Sequence, residues 1–406
     1  METAPQAARG TFVAMAVIAG AVVANIYFGQ PMLPRIAADL GAPVASIGLI
    51  PGFTLAGFAA GLATLVPLGD GVDRKKIVLA QIAGAAVFAA ACALAPTFSM
   101  LLAASFGLGL VSCVPQQLVP LAALLAKPEA RGQAVGTVVS GIMLGLLLGR
   151  TVGGALSAIV SWRVVFALDA LFMVAIGAAA WRILPRGRPS TELSYFRLMA
   201  TLPALALAHP TLRRAMATQA LVWVAFNAFW ANLALLLSTS WGLGGFWAGA
   251  FGLVGVVGAL AATFGGRAAD RLGPFRVLIF SFATVAAGYL GLFAARGSMA
   301  ALIVGVLLLD LGCQSALVAN QTRIFALDPK AQGRINTLFM VAIFVAGAVG
   351  AALSGWCMAR YGWNGVATLG LVAGLAALAI HLTPMGAEPS RRGNLEPSAE
   401  APTAKG

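Results

Sequence analysis

PLGDGVDRKK at residues 67–76 and GRAADRLGPF at 266–275 are two short polar interruptions in a chain that is otherwise almost continuously apolar, and a shift of about 200 residues lays Asp70 over Asp270. The correspondence extends outward. A shift of 201 lays PEARGQ at 128–133 over PKAQGR at 329–334, and Gly149, Gly154 and Trp162 over Gly350, Gly355 and Trp363; Asn25 and Asn227 are related by 202. A unit of about 200 residues has been duplicated in parallel. The fold is therefore to be read as two copies of one arrangement.

Composition says where that arrangement sits. Of 406 residues 60% are hydrophobic and 10% charged, outside the range of water-soluble domains. Crossing the hydrocarbon takes about 20 apolar residues at about 1.5 Å each. That ruler gives twelve spans: 11–33, 46–68, 76–95, 99–125, 133–160, 163–184, 215–238, 245–266, 275–295, 299–322, 335–358 and 362–383. The predicted architecture is an all-α integral membrane protein of two pseudo-symmetric six-helix bundles, 11–184 and 215–383. Residues 1–10 precede the first bundle, a connector at 185–214 joins the two, and a tail at 384–406, rich in Pro, Gly, Ala and charge, is expected to be disordered. Within the connector YFRLMATLPALALA (195–208) reads as a short helix on the membrane surface. The first span has no small-residue cleavage site and carries polar residues, so it reads as a retained helix.

The net charge of +13 is topological. Of 26 Lys and Arg residues, 21 fall on the side of the N-terminus, mostly in short connectors, which places both termini in the cytoplasm of an inner-membrane, multi-pass protein. Nothing in this distribution forms a nucleic-acid-binding face. The four cysteines lie in apolar runs without ligand spacing, and neither His209 nor His381 has a partner at such spacing, so no metal and no cofactor are expected. No nucleotide loop and no nucleophile–base constellation is evident, which argues against an ATP-driven pump and against an enzyme.

Parallel six-span repeats are the architecture of one large class of secondary transporters, and the chain up to residue 383 resembles the major facilitator superfamily. Its 2–3 loop is similar to that family's Gly…Asp-Arg-x-Gly-Arg-Lys signature through Asp70, Arg74 and Lys75, with Gly71 and Asp73 at altered positions; its 8–9 loop keeps Gly266, Asp270, Arg271 and Gly273. The resemblance implies that Asp70, Arg74 and Asp270 act as a conformational latch between neighbouring helix ends. On span five, Gly136, Gly145, Gly149, Gly153 and Gly154 match the spacing of the family's antiporter motif, with Arg150 where the motif has proline. That pattern, with LLLDLGCQSALVANQ at 307–321, resembles the drug/sugar:proton antiporter branch and its arabinose and sugar efflux permeases. It implies proton-coupled export by alternating access. Uptake, facilitated diffusion and an uncoupled channel or solute sensor are the other functions that twelve such helices could serve.

Three charged residues fall well inside spans: Arg150, Asp169 and Asp310. Each costs about 2.5–3.5 kcal/mol at a helix centre on the insertion scale, so each is expected to face a cavity or a partner. Arg150 and Asp310 lie at similar depth, and they are expected to approach each other across the halves in at least one transport state; Asp169 is the alternative partner. An arginine keeps its proton, so the carboxylate is the titrating member. Uncharged polar residues interrupt four spans: Asn25, Tyr27 and Gln30 on span one, Gln116 and Gln117 on span four, Asn227, Trp230 and Asn232 on span seven, Gln314, Asn320 and Gln321 on span ten. In the resembled family these four helices line the central cavity. Amides and aromatics with few fixed charges suit a small neutral or weakly cationic organic solute. The expected partners are thus that solute, protons and lipid, and the expected unit is a monomer.

Overall fold

The computed structural model describes residues 9–185, 204–254, 273–328 and 331–384. Among them every regular element is a helix. In chain order these are α1 (Arg9–Ala24), α2 (Leu33–Asp39), α3 (Leu49–Gly71), α4 (Arg74–Leu94), α5 (Phe98–Val111), α6 (Pro115–Leu125), α7 (Arg131–Ile159), α8 (Trp162–Ile183), α9 (Pro210–Trp241), α10 (Gly245–Val254), α11 (Pro274–Leu292), α12 (Met299–Phe325) and α13 (Gln332–Leu382). Nine helical stretches among the described residues are long and apolar enough to cross a membrane, with Gly10–Ala24 and Gly245–Val254 as shorter apolar helices. The longest, α13, has 51 residues. Straight, it would measure about 75 Å, more than twice the hydrocarbon thickness, so it holds two spans. The break between them is one residue, Gly362, at φ 61° and ψ −157°.

Two expected spans are not single helices, and two others are merged into one. Span one stops at Ala24, passes through a non-helical turn at 25–29 and a 3₁₀ turn at Gln30–Met32, and resumes as α2. Pro31 and Pro34 lack the N–H that would continue the ladder. Asn25, Tyr27 and Gln30 accordingly sit in or beside a break, not along a continuous helix. Span four is interrupted at 112–114, before Pro115, so Gln116 and Gln117 open a new helix. Spans eleven and twelve have no separate loop. The connector also ends early: Arg213 and Arg214 belong to α9, and of the expected surface helix only 204–208, which are helical, fall within the described residues. Span eight beyond residue 254, the 8–9 loop up to residue 272 and the tail from 385 lie outside them.

Apolar side chains gather into three clusters. One is built from α1 to α8 around Met15, Val78 and Val165; a second from α9 to α13 around Phe229, Phe282 and Trp363. The third joins the halves, with Phe58 of α3 packed edge-on against Phe344 of α13 at 4.6 Å between centroids.

The halves close against each other away from the 2–3 loop, where the start of α3 meets α13 just before its Gly362 break and the later part of α7 meets α10, and the closure repeats the duplication. Gly48 abuts the Ala351 carbonyl and Gly355; Gly249 abuts the Arg150 carbonyl and Gly154. Each residue of the first seam is related by 201 to one of the second: Gly48 to Gly249, Arg150 to Ala351, Gly154 to Gly355. Backbones approach this closely only where side chains are absent. Thr151 Oγ1 adds a 3.2 Å hydrogen bond to the Gly249 carbonyl across the second seam.

Two expectations follow. Ala at Gly362 would have to occupy backbone space that is nearly glycine's alone, at a cost of about 1–3 kcal/mol, so Gly362→Ala should lower the midpoint of reversible unfolding in mixed micelles while Gly297→Ala, in open space, leaves it unchanged. Gly48→Leu and Gly249→Leu should each wedge one seam open, and single cysteines placed at the closed end should then react with a membrane-impermeant thiol reagent at least several-fold faster.

Candidate functional site

The break at 25–32 is what positions the site. Freed from the α1 ladder, Tyr27 and Gln30 turn toward α7, where Arg150 points inward at 8% exposure. The Tyr27 ring lies 4.0 Å from the guanidinium carbon on one side, and the Trp230 ring of α9 lies 4.4 Å from it on another. Arg150 Nε donates to Gln30 Oε1 at 3.0 Å. Each desolvated cation–π contact contributes roughly 2 kcal/mol; two of them, with a charge-assisted hydrogen bond, offset the roughly 3 kcal/mol cost of a charge at this depth.

Asp310 of α12, 4% exposed, is an electrostatic neighbour of both Arg150 and Tyr27, with the Trp230 indole beside it. The two charges do not come within the 4.0 Å of an ion pair. Gln30 Nε2 and Arg150 Nη2 are buried without hydrogen-bond partners, while Trp230 Nε1 and Asp310 Oδ2, also buried, face each other without forming a bond of full hydrogen-bond geometry. A small cavity between the halves is lined by Gln30, Arg150 and Trp230 together with apolar Pro31, Leu233 and Ala248. The cavity, about 10 Å³, is thus lined by three residues with unsatisfied donors, and Asp310 stands outside its lining.

Asp169 has a different partner. It is 7% exposed on α8, and the Asn25 amide, with its nitrogen toward the carboxylate, donates to Oδ2 at 3.0 Å and Oδ1 at 3.3 Å. A second cavity, inside the first half, is lined by Asn25, Gln30, Thr54, Ser105 and Phe166. Gln30 touches both cavities.

Most of the other polar residues tie helices together. Gln117 Nε2 donates to the Leu65 and Val66 carbonyls of α3 at 2.9 and 3.2 Å; Asn232 bonds Ser354 Oγ of α13 at 2.8 Å; Asn320 bonds Gln219 of α9 at 3.0 Å; Gln321 bonds Asn336 at 3.5 Å. Asn227 bonds its own helix at the Trp223 carbonyl and leaves Oδ1 without a partner. Gln116 and Gln314 are half-buried.

The span-five glycines divide by face. Gly145 and Gly149 pack against Gly20 and Ala24 of α1 and Gly153 against Phe28 in the turn beyond it, Gly154 packs across the halves, and Gly136 faces open space. With Arg150 replacing the motif's proline, α7 runs unbroken from Arg131 to Ile159.

In the 2–3 loop Asp73 accepts from the Lys75 N–H at 2.9 Å and caps α4, Arg74 Nε donates to the Gly69 carbonyl at 3.1 Å, and Lys75 Nζ donates to the Leu184 carbonyl at the end of α8 at 2.6 Å. The Asp70 side chain and Gly266, Asp270 and Arg271 lie outside the described residues; Gly273 adopts φ 80° before α11. Sequence reasoning missed the counterpart in the second half: Arg214 donates to the Ile380 carbonyl at 2.6 Å and to those of His381 and Thr383, holding the end of α13. A cation beside orphan carbonyls at a helix C-terminus was the signal, hidden because the two lie 166 residues apart. Among the described residues no group of three His, Cys, Asp or Glu could hold a metal.

The Major Facilitator Superfamily model matches residues 12–318 and, a second time, 215–405. The chain belongs to that superfamily. It is 34% identical over 371 residues to "Uncharacterized transporter YgaY" of Escherichia coli O157:H7, covering 91% of this chain and 94% of that one, and 34% identical over 380 residues to "Probable transporter SCO4007" of Streptomyces coelicolor, covering 92% and 88%. Two solved structures share the fold: a bacterial homologue of the human lysosomal transporter Spinster in an inward-facing, unoccupied conformation, with TM-score 0.70, 16% identity and 92% and 94% coverage, and the nucleoside transporter NupG, with TM-score 0.72, 13% identity and 91% and 99% coverage. This superfamily member is a multi-pass membrane transporter and not an enzyme.

Trp230→Leu should strip one ring contact from Arg150 and cost about 2 kcal/mol of stability, read as a lower unfolding midpoint. Trp230→Phe, which keeps a π face there, should recover most of the loss.

Proposed function

We propose that this transporter is a proton-coupled secondary carrier that exports a small neutral or cationic organic solute from the cytoplasm by alternating access, working as a monomer in the inner membrane with both termini cytoplasmic. One observation carries the reading. Arg150 is gripped by Tyr27 from one half and Trp230 from the other, with the buried carboxylate of Asp310 beside it. Any motion that parts the halves must break at least one of these contacts, so the field at Asp310 changes with the transport state. A carboxylate whose cationic neighbour moves is a group that binds a proton in one state and releases it in the other; the arginine, always charged, supplies the field. Asp169 is a weaker candidate for this role, because its hydrogen-bond partner Asn25 belongs to the same half and need not move when the halves separate. Export, in preference to uptake, is supported by the resemblance of span five to the antiporter pattern.

The test uses purified protein in proteoliposomes with an imposed pH gradient. Asp310→Asn should reduce gradient-driven solute accumulation at least tenfold while leaving downhill exchange measurable, and Asp169→Asn should have the smaller effect. Uphill transport by Asp310→Asn at the normal rate and with normal pH dependence would refute the coupling role.

A further inference from the structure

The unsatisfied groups around Arg150 also describe what the site takes. The two rings stand against the guanidinium, its Nε is used by Gln30, and Nη2 is left with no partner. An unpartnered guanidinium nitrogen is satisfied best by an ionised acceptor, because such charge-assisted bonds are the strong ones, and a carboxylate is a planar anion that suits it. Gln30 Nε2 is a further buried donor without an acceptor, and Trp230 Nε1 beside Asp310 makes no full hydrogen bond, so the excess of donors points the same way. Opposed to them is one acceptor without a full bond, Asp310 Oδ2, which asks for an N–H or ammonium. Charge narrows the choice. Arg150 and Asp310 sum to zero, and a buried site this apolar elsewhere, with Pro31, Leu233 and Ala248 on its walls, would be left with an uncompensated charge by a simple anion or a simple cation, at a cost that burial makes large. A sugar offers hydroxyls to every group but no charge to either.

We infer that the recognised end of the solute is a zwitterion of amino-acid type, its carboxylate received by Arg150 with Gln30 and Trp230, and its ammonium by Asp310. This rests on the proposed transport role of the same site and names its substrate class. Binding across the two charges also draws in both halves, since Gln30 and Arg150 come from the first and Trp230 and Asp310 from the second.

The experiment measures binding to the full-length protein in nanodiscs by thermal shift and tryptophan fluorescence. The probes are glycine, leucine and phenylalanine, each beside the amine that lacks its carboxylate and the acid that lacks its ammonium, with arabinose as the uncharged comparison. At least one zwitterion should bind, and both of its single-charge fragments should bind at least tenfold more weakly. Arg150→Gln should abolish the preference for the zwitterion over the amine. Asp310→Asn, which keeps the arginine cage, should abolish the preference over the acid, and so serves even where the arginine variant does not fold. A fragment that binds as tightly as its parent, binding by arabinose alone, or no binding by any zwitterion overturns the assignment. The two readings fail separately: zwitterion binding without any flux in proteoliposomes sinks the transport role, whereas Asp310-dependent flux of a solute of another class sinks only the substrate class.

Discussion

A guanidinium that cannot lose its charge, placed inside the membrane, constrains everything around it. Arg150 must be compensated by groups that reach it in the dark of the protein interior, and no single helix can supply them. The chain meets the requirement by breaking span one at residue 25, which releases Tyr27 and Gln30 toward α7, and by closing the second half so that Trp230 and Asp310 arrive from the far side. The compensation is therefore shared between halves. A residue whose solvation depends on both bundles makes their separation and their union energetically different events.

The seams explain how closely the halves can come. Gly48 against Ala351 and Gly355, and Gly249 against the Arg150 carbonyl and Gly154, are one contact made twice by the duplicated unit. In lipid there is little hydrophobic drive between helices, so association depends on close packing of small residues. Such a contact is strong when fully made and weak when displaced by even one side-chain radius, because dispersion falls steeply with distance. That suits an interface that has to open. The symmetry is broken at one place: where the first copy has Arg150, the second has Ala351, so two equivalent seams flank a single charged centre.

How much of this was legible in the sequence follows from what kind of information each feature carries. Span length, duplication and the burial of Arg150, Asp169 and Asp310 are local or periodic properties, and the structure places all three charges inside as composition implied. The breaks in spans one and four were written in Pro31, Pro34 and Pro115, but a hydropathy window averages over such residues. Pairing is different. Asn25 with Asp169, Asn232 with Ser354 and Arg214 with the end of α13 join residues more than 100 apart, and nothing in spacing selects one buried partner over another. That is also why polar residues on spans four, seven and ten, alike in sequence, separate into those that bind helices together and those that face the cavity.

The separation has a physical consequence for specificity. An amide satisfied by a neighbouring helix, such as Gln117 on the Leu65 and Val66 carbonyls, holds the wall of the pathway in place and offers a solute nothing. A donor or acceptor buried without a partner is held at a cost of about 1–3 kcal/mol until something satisfies it. Around Arg150 four groups without a full hydrogen bond converge, from two halves and four segments of chain. Their unmet bonds can be met only by a ligand or solvent that enters while the halves are apart and is enclosed when they meet. A solute that satisfies them favours the closed arrangement by the same interactions that recognise it, so binding and closure are one equilibrium. Selectivity then needs no separate gate: a molecule that leaves the groups unsatisfied fails to stabilise the state through which it would have to pass.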